Sequence, residues 1–211
     1  YALFAMTGMD NINELLIPEN GLIALNVPLD ETRVGSFSTR TTHPFYLSLW
    51  NDLLEGLGMN LSVKNPYWNK TKGEMAKECK SMELSFSCSS PGKARWKHLR
   101  QQHCGYCVPC IIRRAAMHKA FKKDGTKYIE TSIYEMKNRN SEVIGIQLRS
   151  FQHAIDKIKQ DRNCAMFYIR KPGPLPQDDE YLRELADTYV RGLLEVDNFI
   201  QDYLAKEGQK L

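Results

Sequence analysis

Three cysteines recur at intervals of three residues in the stretch Cys104-Gly105-Tyr106-Cys107-Val108-Pro109-Cys110. This spacing is typical of a zinc site, because Zn²⁺ takes four soft ligands in a tetrahedron. Gly105 supplies a tight turn whose backbone N–H groups can bond the thiolates, and Pro109 fits the first turn of a following helix. The positive end of that helix would stabilise thiolate charge. The stretch therefore predicts a metal site at the start of a helix.

The fourth ligand must come from another segment. Cys88 is the natural candidate, and His103 is a poorer one because its neighbour Cys104 already points into the site. A closed set of four ligands leaves no open position, so the zinc would be structural. Two disulfides, or four unrelated buried cysteines, are the alternatives. Cys79 and Cys164 stand apart from the motif and are predicted to be core thiols.

The composition places the chain among ordinary globular proteins. It has 211 residues, of which 42% are hydrophobic and 26% are charged, and this excludes disordered, collagen-like and coiled-coil classes. The sequence contains no apolar run of about 20 residues for a membrane helix and no secretory signal. Six cysteines are too few for a disulfide-stapled secreted scaffold, so we expect a reducing, cytoplasmic location.

Positive charge is concentrated in the middle of the chain. Residues 71–127 carry thirteen basic and four acidic side chains, a net +9, whereas residues 1–70 carry −3 and residues 128–211 carry −2. Such a segment favours an anionic partner: a nucleotide, a nucleic acid or a negatively charged metal centre. A solvated basic helix face explains the pattern equally well. Four cations near the cysteines would offset the charge of a zinc tetrathiolate: Lys97, Arg100, Arg113 and Arg114.

A second candidate site lies in residues 36–44, which hold five hydroxyl groups, an arginine and a histidine before a predicted helix. A helix N-terminus offers unpaired N–H donors, and an arginine can grip an oxyanion with two parallel hydrogen bonds. The candidate phosphate- or substrate-binding residues are Ser38, Thr39, Arg40, Thr41, Thr42 and His43, with Lys72 from the next helix. The alternative is a helix capped by Thr42 after a polar turn, with Lys72 simply exposed.

Hydrophobic periodicity predicts a mostly helical α/β protein. Helices are predicted from Thr42 to about residue 57, over 108–124 with Gly125 as the stop, and over 143–160. Thr71 and Glu74 fit a capping box that opens a short helix towards residue 79. Residues 84–88 alternate like a strand, whereas 22–25 suggest a short strand or loop and 164–169 a strand or buried crossing.

A final helix of about 27 residues is predicted to begin at Asp178 or Asp179. Its apolar stripe is Leu182, Leu185, Tyr189, Leu193, Val196, Phe199, Ile200 and Tyr203. Such a stripe must be covered by the chain's own core, by a second copy of the chain or by a different protein. We expect it to contribute to a protein-docking surface, and packing within the chain is the alternative.

Several segments together resemble the C-terminal half of 7-cyano-7-deazaguanine synthases, PP-loop (N-type ATP pyrophosphatase) enzymes of the queuosine pathway. They are Asn65-Pro66, Thr71-Lys72-x-Glu74, Ser87-Cys88-Ser89 and Cys104-Gly105-x-Cys107-x-x-Cys110-x-x-Arg113. The resemblance is good over residues 60–115 and loose over 17–60. It implies a structural zinc bound by Cys88, Cys104, Cys107 and Cys110.

The resemblance also implies a fold and a chemistry. The fold would be the C-terminal part of a PP-loop, adenine-nucleotide α-hydrolase-like domain over residues 1–127, followed by a helical extension over 128–211. Members of the family adenylate a deazaguanine carboxylate and convert it, with ammonia, to an amide and then a nitrile. ATP is therefore the cofactor expected for the intact protein, and a deazaguanine-type small molecule is its expected ligand.

Two departures from the family pattern modify this expectation. The family's ATP-binding loop, S-G-G-x-D-S, has no match here, so the chain is either a C-terminal fragment or has lost adenylation. Because the chain starts at Tyr1, we expect a fragment that is inactive alone.

In addition, 101 residues follow Cys110, whereas housekeeping members of the family end soon after their last cysteine. This pattern, with Ile17-Pro18-Glu19-Asn20-Gly21 and the segment 38–44, is more similar to synthase-like proteins of bacterial anti-phage defence systems, which implies a protein partner.

Three other functions remain open. The basic middle segment is also compatible with a zinc-ribbon module that binds nucleic acid, although the aromatic residues near it are few. They are Trp96, Tyr106, Phe121 and Tyr128. A non-catalytic scaffold of a defence complex is the second alternative, and a housekeeping 7-cyano-7-deazaguanine synthase is the third.

Overall fold

The structure is a computed structural model that describes residues 1–29, 40–79, 81–139 and 141–208. Its contacts divide the chain into two compact units. The first consists of Tyr1–Lys70 and Ala165–Tyr189, and the second of Thr71–Cys164 and Val190–Leu211. The domain boundary predicted after residue 127 was implied by the family resemblance. The contacts place residues on both sides of position 127 in the second unit.

The first unit is built around a small parallel sheet. Its elements are α1 (Ala2–Met6), β1 (Glu14–Leu16), α2 (Gly21–Leu25), α3 (Pro44–Gly56), β2 (Ser62–Lys64), α9 (Ala165–Tyr168) and the start of α10 (Asp179–Gly208). Leu15 of β1 is the register partner of Val63 in β2. The Asn51 side chain ties α3 to β2, because its amide accepts from the Val63 N–H at 2.7 Å and donates to the Val63 carbonyl at 3.1 Å. Leu47, Leu54 and Val63 form the buried core beside this pair.

Capping side chains decide where the helices of the first unit begin. The strand or loop expected at residues 22–25 is instead α2, because the Asn20 side chain accepts from the Ile23 N–H at 3.2 Å and caps a helix there. α3 begins one residue later than expected, since His43 rather than Thr42 caps it. The Nδ1 atom of His43 accepts from the Phe45 N–H at 3.3 Å.

The second unit is helical in its described residues. Its elements are α4 (Lys72–Glu78), α5 (Gly92–Trp96), α6 (Val108–Phe121), α7 (Ile133–Asn138), α8 (Ile146–Gln160), 3-10 turns at Met82–Leu84 and Arg162–Cys164, and the rest of α10. The predicted capping box is confirmed: Glu74 N–H donates to Thr71 Oγ1, and the Glu74 carboxylate accepts from Thr71 N–H at 2.8 Å. α4 packs on α6, and both α6 and α7 pack on α8.

Several local predictions were wrong. Residues 84–88 do not form a strand, and of the two alternatives for 164–169, a strand or a buried crossing, the strand is wrong because the segment contains the short helix α9. α6 ends earlier than expected because Lys122 adopts a left-handed conformation after it, and Phe121, expected inside, is exposed. Cys79 is exposed rather than a core thiol, and Cys164 is half-buried.

The last helix, α10, is 30 residues long and begins at Asp179 as expected. Its predicted apolar stripe is buried from Leu182 to Ile200, with Leu185 and Leu193 completely inaccessible. The stripe from Leu182 to Ile200 is therefore covered within the chain, which is the alternative stated above, and does not itself offer a docking surface. Along the described residues, no helix has the length and apolar character required to cross a bilayer.

Candidate metal centre

Four cysteine side chains converge in the second unit. The Sγ atoms of Cys88, Cys104, Cys107 and Cys110 all lie within 4.8 Å of one another, and all four residues are buried. The Cys104 and Cys110 sulfurs are 3.9 Å apart, and those of Cys88 and Cys107 are 4.0 Å apart. A tetrahedron with metal–sulfur bonds of about 2.3 Å has edges of roughly 3.8 Å, whereas a disulfide bond is about 2.05 Å long. The four cysteines are thus free thiols spaced to hold a metal ion.

Backbone N–H groups point at two of these sulfurs. Cys88 Sγ accepts from the Cys104 N–H at 3.3 Å and from the Ser90 N–H at 3.4 Å, and Cys104 Sγ accepts from the Cys107 N–H at 3.3 Å. Such bonds orient thiolate ligands and stabilise their charge. Gly105 is required in this turn: its φ is +91°, and a Cβ added there would lie 2.1 Å from the Glu130 carbonyl oxygen.

The N-terminus of α6 completes the cluster. Cys107 is its N-cap residue and Cys110 lies in its first turn, so the positive end of the helix dipole faces the sulfurs. Hydrogen bonds shared with the Cys104 and Cys110 thiols lower the pKa of Cys107 well below its usual range. The hydrogen bond between the Cys104 and Cys107 thiols also raises the pKa of Cys104 to about 11. A metal cation would take the place of the shared protons, because thiolates are the form that binds metals.

The structure brings Cys88, rather than His103, into the cluster. His103 is buried, and its Nε2 accepts from the Ser87 N–H at 3.1 Å. Its ring packs against Phe86 at a centroid distance of 4.4 Å. His103 therefore positions the backbone that precedes Cys88.

Two consecutive buried arginines follow the last cysteine. Arg113 is fully buried, and its guanidinium donates to Ser85 Oγ at 2.6 Å, to the Met82 carbonyl at 2.9 Å and to Thr126 Oγ1 at 3.2 Å. All three of these partners are neutral. The nearest carboxylate in this network is that of Asp124, which accepts from the Thr126 N–H at 2.9 Å.

Arg114 is also buried, and it donates to the Gly105 carbonyl at 3.4 Å within the turn between the first two clustered cysteines. Its guanidinium lies 5.2 to 5.5 Å from the ring centroids of Tyr128, Phe199 and Tyr203. Burial lowers its pKa. The two guanidinium charges would balance the −2 charge of a divalent ion bound by four thiolates. The other two predicted counter-charges, Lys97 and Arg100, are exposed.

A second buried polar cluster, which the sequence did not predict, surrounds Glu195. Its carboxylate accepts from Thr71 Oγ1 at 2.6 Å and from the Gly73 N–H at 2.9 Å, and it pairs with Lys119 Nζ at 3.2 Å. A Cβ added at Gly73 would lie 2.7 to 2.8 Å from the carboxylate atoms, so the glycine allows Glu195 to approach the backbone this closely. Only 3% of the Glu195 side chain is exposed.

Glu74 extends the same cluster. Its carboxylate contacts Lys119 Nζ at 3.2 Å and Arg191 Nη1 at 2.5 Å. Partial burial alone would raise the pKa of Glu74, but the hydrogen bond from Arg191 and the Lys119 charge outweigh it and lower the pKa to about 2. With Glu195 included, two carboxylates face two cations, and the cluster balances its own charge.

The structure describes only part of the predicted phosphate-binding segment. Ser38 and Thr39 lie outside the described residues, Arg40 and Thr42 are half-buried, and Thr41 is exposed. His43 is 2% exposed, and burial, followed by the Arg40 charge, lowers its pKa to about 4. The buried Nε2 atom of His43 has no hydrogen-bond partner among the described residues. Lys72, half-buried as the first residue of α4, belongs to the second unit.

Comparison with known proteins gives a distant relationship. The chain is 33% identical over 90 residues to a 7-cyano-7-deazaguanine synthase of Methanobrevibacter smithii. The alignment covers 40% of this chain but 36% of the synthase, so it spans about a third of that protein's length. No family model matches the sequence, and no solved structure matches it.

Proposed function

We propose that this chain is the zinc-binding portion of an ATP-dependent 7-deazaguanine synthase-like protein. The observation that carries the proposal is the buried group of four cysteine sulfurs, spaced as in a tetrahedral metal site. The partial identity to a 7-cyano-7-deazaguanine synthase supports the rest.

The proposed metal is Zn²⁺, and its role is structural. Four thiolates fill a tetrahedral zinc site and leave no position for water or substrate. The bound ion would join the segment at Cys88, the turn at Cys104 and the N-terminus of α6. We expect it to stabilise the second unit, because such a site forms together with the fold.

The proposed chemistry belongs to the intact protein. By the family resemblance, that protein uses ATP to adenylate a carboxylate of the deazaguanine class, within a PP-loop fold. The glycine-rich loop S-G-G-x-D-S that would hold the pyrophosphate does not occur in these 211 residues. We therefore expect no adenylation by this chain alone. Arg40, His43 and the N-terminus of α3 remain our candidates for holding an anionic group of the substrate.

We also propose that the intact protein works in the cytoplasm, with a protein partner of an anti-phage defence system. This proposal depends on the likeness of the segments 17–21 and 38–44 to the synthase-like proteins of such systems. Since the apolar stripe of α10 is buried, the partner must contact another surface. The housekeeping synthase and the defence scaffold remain the competing functions.

Pyrophosphate–ATP isotope exchange tests the proposal directly. The product of the complete reading frame should catalyse exchange that depends on an added deazaguanine carboxylate, whereas the 211-residue chain alone should catalyse none. Omitting the carboxylate, or replacing it with guanine, provides the matched control. Exchange by the intact protein that is indifferent to the deazaguanine, or clear exchange by this chain alone, would contradict the proposal.

A further inference from the structure

A basic loop, residues 89–103, connects two of the clustered cysteines. Its first turn is held by the Ser90 N–H donating to Cys88 Sγ at 3.4 Å. The residue after the loop, Cys104, donates its N–H to the same sulfur at 3.3 Å. Both ends of the basic loop are therefore fixed at one sulfur atom, and fifteen residues project between them as a closed loop.

The basic loop carries an unusual exposed surface. Within it, α5 is anchored by Ala94, which is 1% exposed, and the Ala94 carbonyl accepts from the Leu99 N–H at 2.9 Å. His98 takes a left-handed conformation, with φ of +54°, to close this turn. Arg95, Lys97 and Arg100 are exposed, and Trp96 is 88% exposed. A tryptophan with so little burial contributes almost nothing to the core.

Exposed cationic residues flank this tryptophan in the sequence. Arg95 and Lys97 are its neighbours in sequence, and Arg100 follows within the same exposed segment. Residues 84–123 contain no aspartate or glutamate. Among the side chains that the structure describes, no carboxylate pairs with Arg95, Lys97 or Arg100. These three cations are exposed, whereas Arg113 and Arg114, which follow the last cysteine, are buried.

We propose that the basic loop binds single-stranded nucleic acid, with Trp96 stacking on a base while Arg95, Lys97 and Arg100 contact phosphates. Proteins that bind single strands combine a positive surface with aromatic side chains on which bases stack. An acidic peptide would satisfy the charges but would leave the indole of Trp96 without a partner. A double strand would also satisfy the charges, but its bases are already stacked on each other. The combination of cations with an exposed indole thus favours unpaired bases.

Fluorescence anisotropy of labelled 12-nucleotide single strands, titrated with the zinc-loaded full chain, tests this proposal. One RNA and one DNA of the same sequence are used, since both offer phosphates and unpaired bases, and the tighter one identifies the natural ligand class. Affinity should fall linearly with salt on logarithmic axes. Trp96→Ala should weaken binding about tenfold, the order of one base–aromatic stack. Arg95→Gln with Lys97→Gln should reduce the salt slope by about 1.4, because each lost phosphate contact contributes about 0.7.

Matched controls separate the loop from charge in general. Lys137→Gln with Arg149→Gln removes two exposed cations outside the loop, and Phe4→Ala removes an aromatic side chain that is 81% exposed. Neither control should change affinity or slope, and every variant should retain wild-type metal content and melting temperature. The proposal is overturned if Trp96→Ala binds single strands as tightly as wild type, if a duplex of the same length binds equally well, or if a polyglutamate peptide binds more tightly than either strand.

Discussion

The second unit contains two buried polar clusters, and their charges are balanced in different ways. The cluster around Glu195 and Glu74 pairs its carboxylates with Lys119 and Arg191, so it needs nothing from outside the chain. The four-cysteine cluster consists of four side chains of one kind, each of which carries a negative charge when it ionises. If all four thiols ionise, like charges are crowded within 4.8 Å, and a metal ion relieves this repulsion. The chain thus supplies a finished ion-pair network in one place and a complete set of four metal ligands in the other.

Both clusters join the N-terminus of a helix to a remote segment. The cysteines tie α6 to Cys88, and Glu195 of α10 closes onto the first turn of α4. The two clusters therefore depend on different external conditions. The cysteine cluster should respond to metal removal, and the Glu195 cluster should respond to pH and to loss of a single side chain. The predictions below use this contrast, from the largest effect to the smallest.

The largest effect is expected from Cys107→Ser, which removes a metal ligand at the start of α6. Structural zinc supplies about 10–16 kcal/mol of binding free energy that is coupled to folding. The variant should therefore lose its metal and the cooperative unfolding of the second unit, as measured by elemental analysis and circular dichroism melting. Cys79→Ser is the matched control, since Cys79 is exposed and outside the cluster, and it should retain both properties.

A smaller loss is expected from Glu195→Ala. It leaves the Thr71 hydroxyl and the Gly73 N–H without their acceptor, whereas Lys119 keeps Glu74, and an unsatisfied buried donor costs about 1–3 kcal/mol. Denaturant unfolding of the metal-loaded protein should show this loss while metal content stays at the wild-type value. Glu195→Gln, which retains one carbonyl acceptor, should lose less. A drop in metal content equal to the drop in stability would show that the two clusters are not independent.

The smallest effect concerns the pH dependence of stability. The pKa of Glu74 is about 2 in the folded protein, below its ordinary value of 4.5. A lowered carboxyl pKa adds stability that is complete above about pH 4.5 and is lost as pH falls towards 2. Glu74→Gln should flatten the stability curve in this window, in matched denaturant titrations of the two proteins. An unchanged slope between pH 4.5 and 2 would mean that Arg191 and Lys119 do not hold this carboxylate ionised.

The same contrast explains what the sequence could predict. Three of the four cysteines lie within seven residues, so their spacing alone indicated a metal site, and only the choice between Cys88 and His103 needed the structure. The Glu195 network had no comparable signal, because Glu195 is 122 residues from Gly73. Only the Thr71–Glu74 capping box, a local pattern, was predicted from that cluster.

The strand predicted at residues 84–88 failed for a related reason. Its alternation of apolar and hydroxyl residues is typical of a strand, but Ser85 Oγ accepts from the Arg113 guanidinium, 28 residues away. Ser87 donates its N–H to His103. These distant partners, rather than a neighbouring strand, form hydrogen bonds with the segment. The stripe of α10 was predicted correctly from its period, but the period could not show that the rest of the chain covers it.

Zinc K-edge X-ray absorption of the purified chain tests the central claim most directly, because it reports the identity of the ligand atoms and their distances from the metal. We predict about one zinc per chain with a first shell of four sulfur atoms at about 2.3 Å and no nitrogen or oxygen. Cys79→Ser should give the same spectrum. A first shell that contains nitrogen or oxygen, or a purified and folded chain without metal whose four cysteines are paired as disulfides, would contradict the account.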